Sequence, residues 1–317
     1  MTQSDQTQQP PSQLDLTGDL RGAILNGKDL RGINLAGKDL SGAQLFQADL
    51  RGANFQDANL EGAEFSAANL EGAIFDGANC RRAGFGRANL NQASLFQANL
   101  EEASFSQASL VGANLHCVNL NHSRLREADL SHADLSESDL RYADISMAKV
   151  FKATFRNADL RHFRLRMIRE FKTADWIGVD IRDINFAGGY MVRQEIIDQN
   201  FIMEFRSYSK LSSLIYYPWY ITCDCGRSML RWCCCIGLLM AFFSYLYTLV
   251  GIDYGAYATA LSPMYFSVVT MTTLGFGDAV PQTLAGQILT MIEVSTGYIM
   301  LGGLLSIFSN KLARRGD

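Results

Sequence analysis

An apolar residue recurs at every fifth position from Leu20 to Leu165, without a miss. Of these 30 positions, 27 are Leu or Phe, and the others are Cys80, Ile145 and Val150. The slot two residues earlier is small. From Ala43 to Ala158 it holds Ala in 21 of 24 cases, with Val118, Ser123 and Ser138 as exceptions. A strict period of five matches neither the 3.6 of a helix nor the 2 of an ordinary strand. An unbroken short period implies a solenoid, in which each unit buries its apolar face only by stacking on the next.

The remainder of the chain is unlike this. No Lys or Arg lies between Trp232 and Asn310, whereas the first 231 residues hold 25 of the 28 basic residues. A soluble region followed by a membrane region is expected. The opening MTQSDQTQQPPSQ is polar and lacks the apolar core of a signal peptide, so residues 1–14 read as a disordered tail and the solenoid as cytosolic. Seven irregularly spaced Cys, three of them consecutive at Cys233, Cys234 and Cys235, suit a reducing compartment better than a disulfide framework.

The units AQLFQ-ADLRG-ANFQD-ANLEG-AEFSA resemble the pentapeptide-repeat family. The resemblance implies a right-handed, four-sided β-helix with four pentads per coil, its narrow interior filled by the central Leu or Phe and the preceding Ala. Thirty pentads then make 7.5 coils, a rod ~36 Å tall at the usual strand spacing. Asp or Asn precedes the central residue at every tenth position from Asp19 to Asn99, where a side-chain oxygen can serve turn amides. Such a domain is a scaffold or sensor. A nucleic-acid mimic would need a dominant acidic surface, but residues 1–120 carry 8 basic and 13 acidic groups and residues 121–172 carry 11 basic and 8 acidic. No nucleic-acid partner is expected.

After Arg166 the period fades, and Asp175, Trp176, Val179, Ile181, Ile184 and Phe186 read as a last irregular coil. Beyond Gly188 and Gly189, MVRQEIIDQNFIMEF reads as an amphipathic helix with Met191, Ile196, Phe201 and Phe205 on one face. LIYYPWYIT is aromatic, uncharged and too short to span, which suits the membrane interface. Cys223 and Cys225 have no companion pair nearby and read as free thiols rather than a metal site.

Trp232 to Val250 is uncharged for 19 residues, and Leu284 to Phe308 runs 25 residues with one charge, Glu293. Each is long enough to cross a bilayer. Arg227 and Arg231 precede the first run, and Lys311, Arg314 and Arg315 follow the second, which places both ends in the cytosol. Residues 251–283 then form a re-entrant segment on the outer side. Irregular backbone at membrane depth must be buried in protein or line a watery cavity. Two helices cannot bury it, so several copies must. Ser262 and Pro263 suit the N-cap and first turn of a short helix running to about Met271.

Thr273-Leu274-Gly275-Phe276-Gly277-Asp278 then resembles the potassium-channel signature, and the match continues at Pro281, Thr283, Gly286, Gly297 and Gly302, as in the bacterial two-helix channels. The resemblance implies a homotetramer whose potassium sites are rings of carbonyls from Thr273, Leu274, Gly275 and Phe276, with the Thr273 hydroxyl as the innermost cage. Gly275 and Gly277 permit the dihedrals that turn carbonyls inward. Tyr265, Phe266, Val269, Thr272 and Asp278 fall where the family supports its filter. Phe276 and Phe266 replace the Tyr and Trp common there, so no hydrogen bond joins those two rings. Val269 replaces a carboxyl that pairs with the filter Asp in a well-known relative.

Glu293, Gly297 and Gly302 are the inner-helix candidates for gating or cavity lining. Glu293 either faces the cavity or sits behind the filter against Thr270 or Thr272, and the apolar Val269 favours the second. Gly297 is a bending point or a site of close packing on the pore helix. Gly302 and Gly303 allow close helix contact. The expected organisation is a tail at 1–14, the β-helix at 15–187, an amphipathic and interfacial linker at 188–227, the pore domain at 228–311 and a cytosolic tail at 312–317. The expected function is potassium-selective conduction in an inner or plasma membrane. No covalent chemistry and no cofactor are expected; potassium is the permeant ion, and lipids and an unidentified regulatory ligand or protein are the partners. Neither a voltage-sensing set of Arg-bearing spans nor a sensing domain after Asp317 is expected, so regulation is expected to enter through the repeats. A weakly selective cation channel and a membrane-anchored interaction protein are the alternatives.

Overall fold

The computed structural model describes residues 19–187, 189–255, 258–274 and 279–313, with side chains to Ser309. The polar tail at 1–14, Gly188, the filter residues Gly275, Phe276, Gly277 and Asp278, and residues 314–317 lie outside the described residues. The chain divides into two compact units, Met1–Met203 and Glu204–Asp317.

In the first unit, parallel bridges join every fifth residue to the one 20 positions on, from Ile24↔Gln44 through Lys149↔Arg169. The bridges fall in four ladders, begun by Ile24, Asp29, Asn34 and Asp39, so the coil has four sides. Each pentad closes a turn by donating the small residue's amide to the preceding central carbonyl, as in Ala43 N to Leu40 O at 2.9 Å. The third residue of that turn is left-handed, filled by Gly in the first coils and by residues such as Gln47 and Asp57 later. The Asp and Asn before the central residue accept the amide two residues on, as in Ser41 N to Asp39 Oδ1 at 3.0 Å and Asn91 N to Asn89 Oδ1 at 3.1 Å. Arg21, Arg31 and Arg182 hold the carboxyls of Asp19, Asp29 and Asp180 down to about 2 through side-chain hydrogen bonds. These pairs are exposed, so they contribute little to stability.

The interior is built from the period-five residues, all buried from Leu20 to Leu165. Phe85 is stacked between Phe65 and Phe105, at centroid distances of 5.0 and 4.8 Å. It also meets Phe75 edge-on at 5.8 Å. The coil backbone is pinned by the ladders, which limits how far neighbouring rings can move to fill a void. Phe85→Ala is therefore expected to destabilise the repeat unit by about 3–5 kcal/mol, read as a lowered denaturant midpoint by circular dichroism. A loss below about 1 kcal/mol would show that the interior relaxes more than close packing allows.

The last coil takes one extra residue. Thr154 pairs with Asp175 and Asp159 with Asp180, a step of 21, and the insertion is a 3-10 turn at Phe171–Thr173. Trp176 re-enters the core, stacked on Phe155 at 4.4 Å. Helix α1 (Tyr190–Tyr208) begins in this unit. Its inward residues are Val192 and Ile196, whereas Met191 and Phe201, expected on that face, are exposed. Polar groups complete the contact. Gln199 Oε1 accepts from Trp176 N at 2.8 Å, and its Nε2 donates to Ala174 O at 2.9 Å. Asn200 accepts from Gly178 N at 2.7 Å and donates to Trp176 O at 2.9 Å. These amides satisfy the open edge of the last coil. The compact unit extends to Met203 and so includes the first part of α1.

The second unit contains α2 (Lys210–Cys223), α3 (Met229–Tyr247), the short pair β1 (Ile252–Asp253) and β2 (Val280–Pro281), α4 (Ser262–Met271) and α5 (Leu284–Ala313). Ser209 caps α2 in a reciprocal capping box with Ser212. Ser228 caps α3, accepting from Arg231 N at 3.2 Å. Two helices, Met229–Tyr247 and Leu284–Ser309, are long and apolar enough to cross a membrane.

Candidate ion-conduction site

The segment between α3 and α5 is held at both ends by one small sheet. Ile252 pairs with Pro281 and Asp253 with Val280, antiparallel. Gln282 reinforces it, donating N to Gly251 O at 3.0 Å and Nε2 to Asp253 Oδ2 at 3.1 Å. Pro281, Thr283 and Gly286 cluster here. A Cβ on Gly286 would meet Ile252, Thr283 and Pro281 at 3.2–3.3 Å. The sequence signal for these three was therefore a closure of the segment on itself.

Helix α4 covers the expected range. Leu261 is its N-cap and Ser262 its first residue, a one-residue correction; the Ser262 hydroxyl oxygen accepts from Thr259 N at 2.7 Å. Pro263 sits in the first turn, where a missing amide costs nothing. At the other end, Thr272 Oγ1 donates to Val268 O at 2.7 Å, and Leu274 N donates to Val269 O at 3.0 Å. Thr273 turns left-handed with φ +62°, which is costly for a β-branched residue. The chain thereby leaves the helix axis sharply at the head of the expected filter. Thr273 and Leu274 are exposed on the single chain, as are Tyr265 and Thr272. Phe266 and Val269 are buried.

Glu293 is completely buried within the chain. Its Oε2 accepts from the Tyr247 hydroxyl and its Oε1 from the Ser267 hydroxyl, each at 2.5 Å. The Ser267 oxygen also lies 2.9 Å from Met240 O. One carboxyl thus joins α3, α4 and α5. Its partners are Ser267 and Tyr247, not the expected Thr270 or Thr272, because Ser267 is the α4 residue that reaches both α3 and α5. Tyr247 in turn meets Phe266 edge-on at 4.9 Å, with an interplanar angle of 72°. Neither Ser267 nor Tyr247 carried a sequence signal of its own.

Gly297 marks the closest approach of α5 to the end of α4. A Cβ there would fall 2.2 Å from Met271 O and 3.0 Å from its carbonyl carbon. Farther along, a Cβ on Gly303 would meet the Trp232 ring at 2.3 Å, and Trp232 Nε1 donates to Met300 O at 2.8 Å. Gly302 faces open space on the single chain. Cys223 Sγ accepts from Gly226 N at 3.2 Å and lies 3.3 Å from Trp219 O, so it is absorbed in a turn.

Residues 232–314 match the ion channel family, and pentapeptide repeats match in segments between 19 and 157. Two-pore potassium channel 4 of Arabidopsis thaliana is 52% identical over 42 residues, 13% of this chain and 15% of that protein. Probable potassium channel protein 2 of Methanocaldococcus jannaschii is 35% identical over 72 residues, 22% of this chain and 18% of that protein. The chain thus spans less than a fifth of the length of these curated relatives. Among solved structures, HetL, a pentapeptide repeat protein from the cyanobacterium Nostoc, is 29% identical over 53% of this chain and 89% of its own, with a TM-score of 0.34. The chain joins a pentapeptide-repeat β-helix to an ion channel domain of the kind found in potassium channels.

Proposed function

We propose that this chain is one subunit of a homotetrameric potassium-selective channel, conducting passively through a filter made of Thr273, Leu274, Gly275, Phe276 and Gly277. The observation that carries this reading is a short helix, α4, packed between two span-length helices, ending at Met271 and followed in the sequence by TLGFGD from Thr273. The C-terminal carbonyls of α4 favour a cation in front of them. Four copies supply a ring at each carbonyl level and replace the water shell of potassium. The apolar side chains that α3 and α5 expose on the single chain, among them Leu238, Phe242, Ile299 and Leu305, support burial by further copies and by lipid. Both termini lie in the cytosol, and the β-helix acts there as modulator or interaction scaffold.

Purified protein in vesicles is expected to carry potassium well above sodium, because the carbonyl rings replace the hydration shell of potassium. Gly277→Ala should abolish this flux while the tetramer survives, because the added methyl opposes the required backbone geometry. Equal sodium and potassium flux would overturn the filter assignment.

A further inference from the structure

Among the described residues, the repeat unit gathers one set of metal-type ligands. A 20-residue coil sets residue 137 directly over residue 117. Cys117 and Glu137 both occupy the left-handed turn position, with φ of 57° and 59°. Cys117 Sγ lies 3.7 Å from Glu137 Oε2. His116 precedes Cys117 in the same turn, its ring stacked on Phe96 at 5.8 Å. One ligand atom from each of His116, Cys117 and Glu137 lies within 4.8 Å of the other two. His116 Nδ1 is buried and has no hydrogen-bond partner among the described residues.

We propose that His116, Cys117 and Glu137 bind a borderline-soft divalent metal of the zinc class on the face of the β-helix. Imidazole nitrogen, thiolate sulfur and carboxylate oxygen are the donors such an ion selects. Tetrahedral bonds of about 2.3 Å to sulfur and about 2.0 Å to oxygen place those atoms ~3.5 Å apart, close to the spacing already present. The exposed Glu137 side chain can close the remaining gap by rotation, and a metal on Nδ1 gives that atom the partner it lacks. On binding, the Cys117 S–H bond breaks, its proton leaves to solvent, and a sulfur–metal bond forms. Water fills the fourth position. Calcium or magnesium would require six or more oxygens, and this set offers one carboxylate. The site is independent of the conduction reading, because none of its residues belongs to the pore domain.

The test is cobalt(II) titration of the reduced, metal-free full-length protein in detergent, followed by the thiolate-to-cobalt absorption band. One equivalent per chain is expected to give the band, and zinc should displace it. Cys117→Ser should remove it, and His116→Ala and Glu137→Gln should weaken binding by at least ~10-fold, since losing even an outer-shell partner costs that much. Cys223→Ser should leave it intact. The proposal is overturned if the wild type shows no band. It is overturned equally if the band survives Cys117→Ser, or if His116→Ala and Glu137→Gln bind as the wild type does. Melting of each variant without metal separates loss of ligand from loss of fold.

Discussion

Gly297→Ala is expected to eliminate measurable conduction. The new methyl would sit 2.2 Å from the carbonyl oxygen of Met271, a backbone atom at the last turn of α4. Ordinary contact requires more than an ångström of additional separation, so α5 must withdraw or the end of α4 must tilt. Overpacking of this kind costs about 1–3 kcal/mol, and more where backbone meets backbone. Two residues after Met271 comes Thr273, so the displacement falls on the head of the proposed filter. Potassium flux in vesicles and the melting temperature of the detergent-solubilised protein should fall together. If Gly297→Ala conducts normally, the close contact is not maintained in the working channel and a bending role for Gly297 regains its place. Gly302→Ala is the matched comparison. It meets nothing on its own chain, and the higher helix propensity of Ala should if anything stabilise α5, so a loss of conduction or stability there would report contact with a neighbouring copy.

Glu293→Ala is expected to be nearly as damaging, and Glu293→Gln far less. The carboxyl accepts from Tyr247 and Ser267, which lie 46 and 26 positions away in the chain. Truncation to Ala would take this acceptor from the buried Tyr247 hydroxyl, at about 1–3 kcal/mol, and leave a cavity between three helices, while Ser267 keeps Met240 O at 2.9 Å as an acceptor. Glutamine preserves the shape and can still accept from Tyr247 and donate to the Ser267 oxygen. Thermal melting should therefore rank wild type, then Gln, then Ala. In single-channel recordings, Gln should alter open probability or inactivation more than unitary conductance. A drop in conductance without a stability change, most evident at low salt where a cavity charge is unscreened, would place the carboxyl on the ion path and refute the clamp. Tyr247→Phe removes one arm alone and should give an intermediate loss.

The period of five was enough to define the interior of the β-helix, because every coil repeats one local geometry. Each central Leu or Phe meets the same surroundings, so its burial is written in spacing alone. The Asp and Asn capping of the turns was legible for the same reason, since those contacts reach only two residues along the chain. The two span-length helices followed from length and lack of charge, and α4 from its first-turn proline and its distance to TLGFGD. Other features depended on elements distant in sequence meeting in space. α1 presents Val192 and Ile196 rather than Met191 and Phe201 because the last coil offers backbone amides that Gln199 and Asn200 must reach. Its helical period permitted either face. Glu293 was visible as a lone charge in a span, but its partners were set by how α3 and α4 cross α5. Gly297 was visible as a glycine, while its contact with Met271 is a property of two backbones at one crossing point. His116, Cys117 and Glu137 come together through coil register, which single-residue chemistry does not reveal. Periodicity records what repeats locally; a unique polar contact between separate elements is decided by packing, because nothing in either segment alone encodes the distance between them.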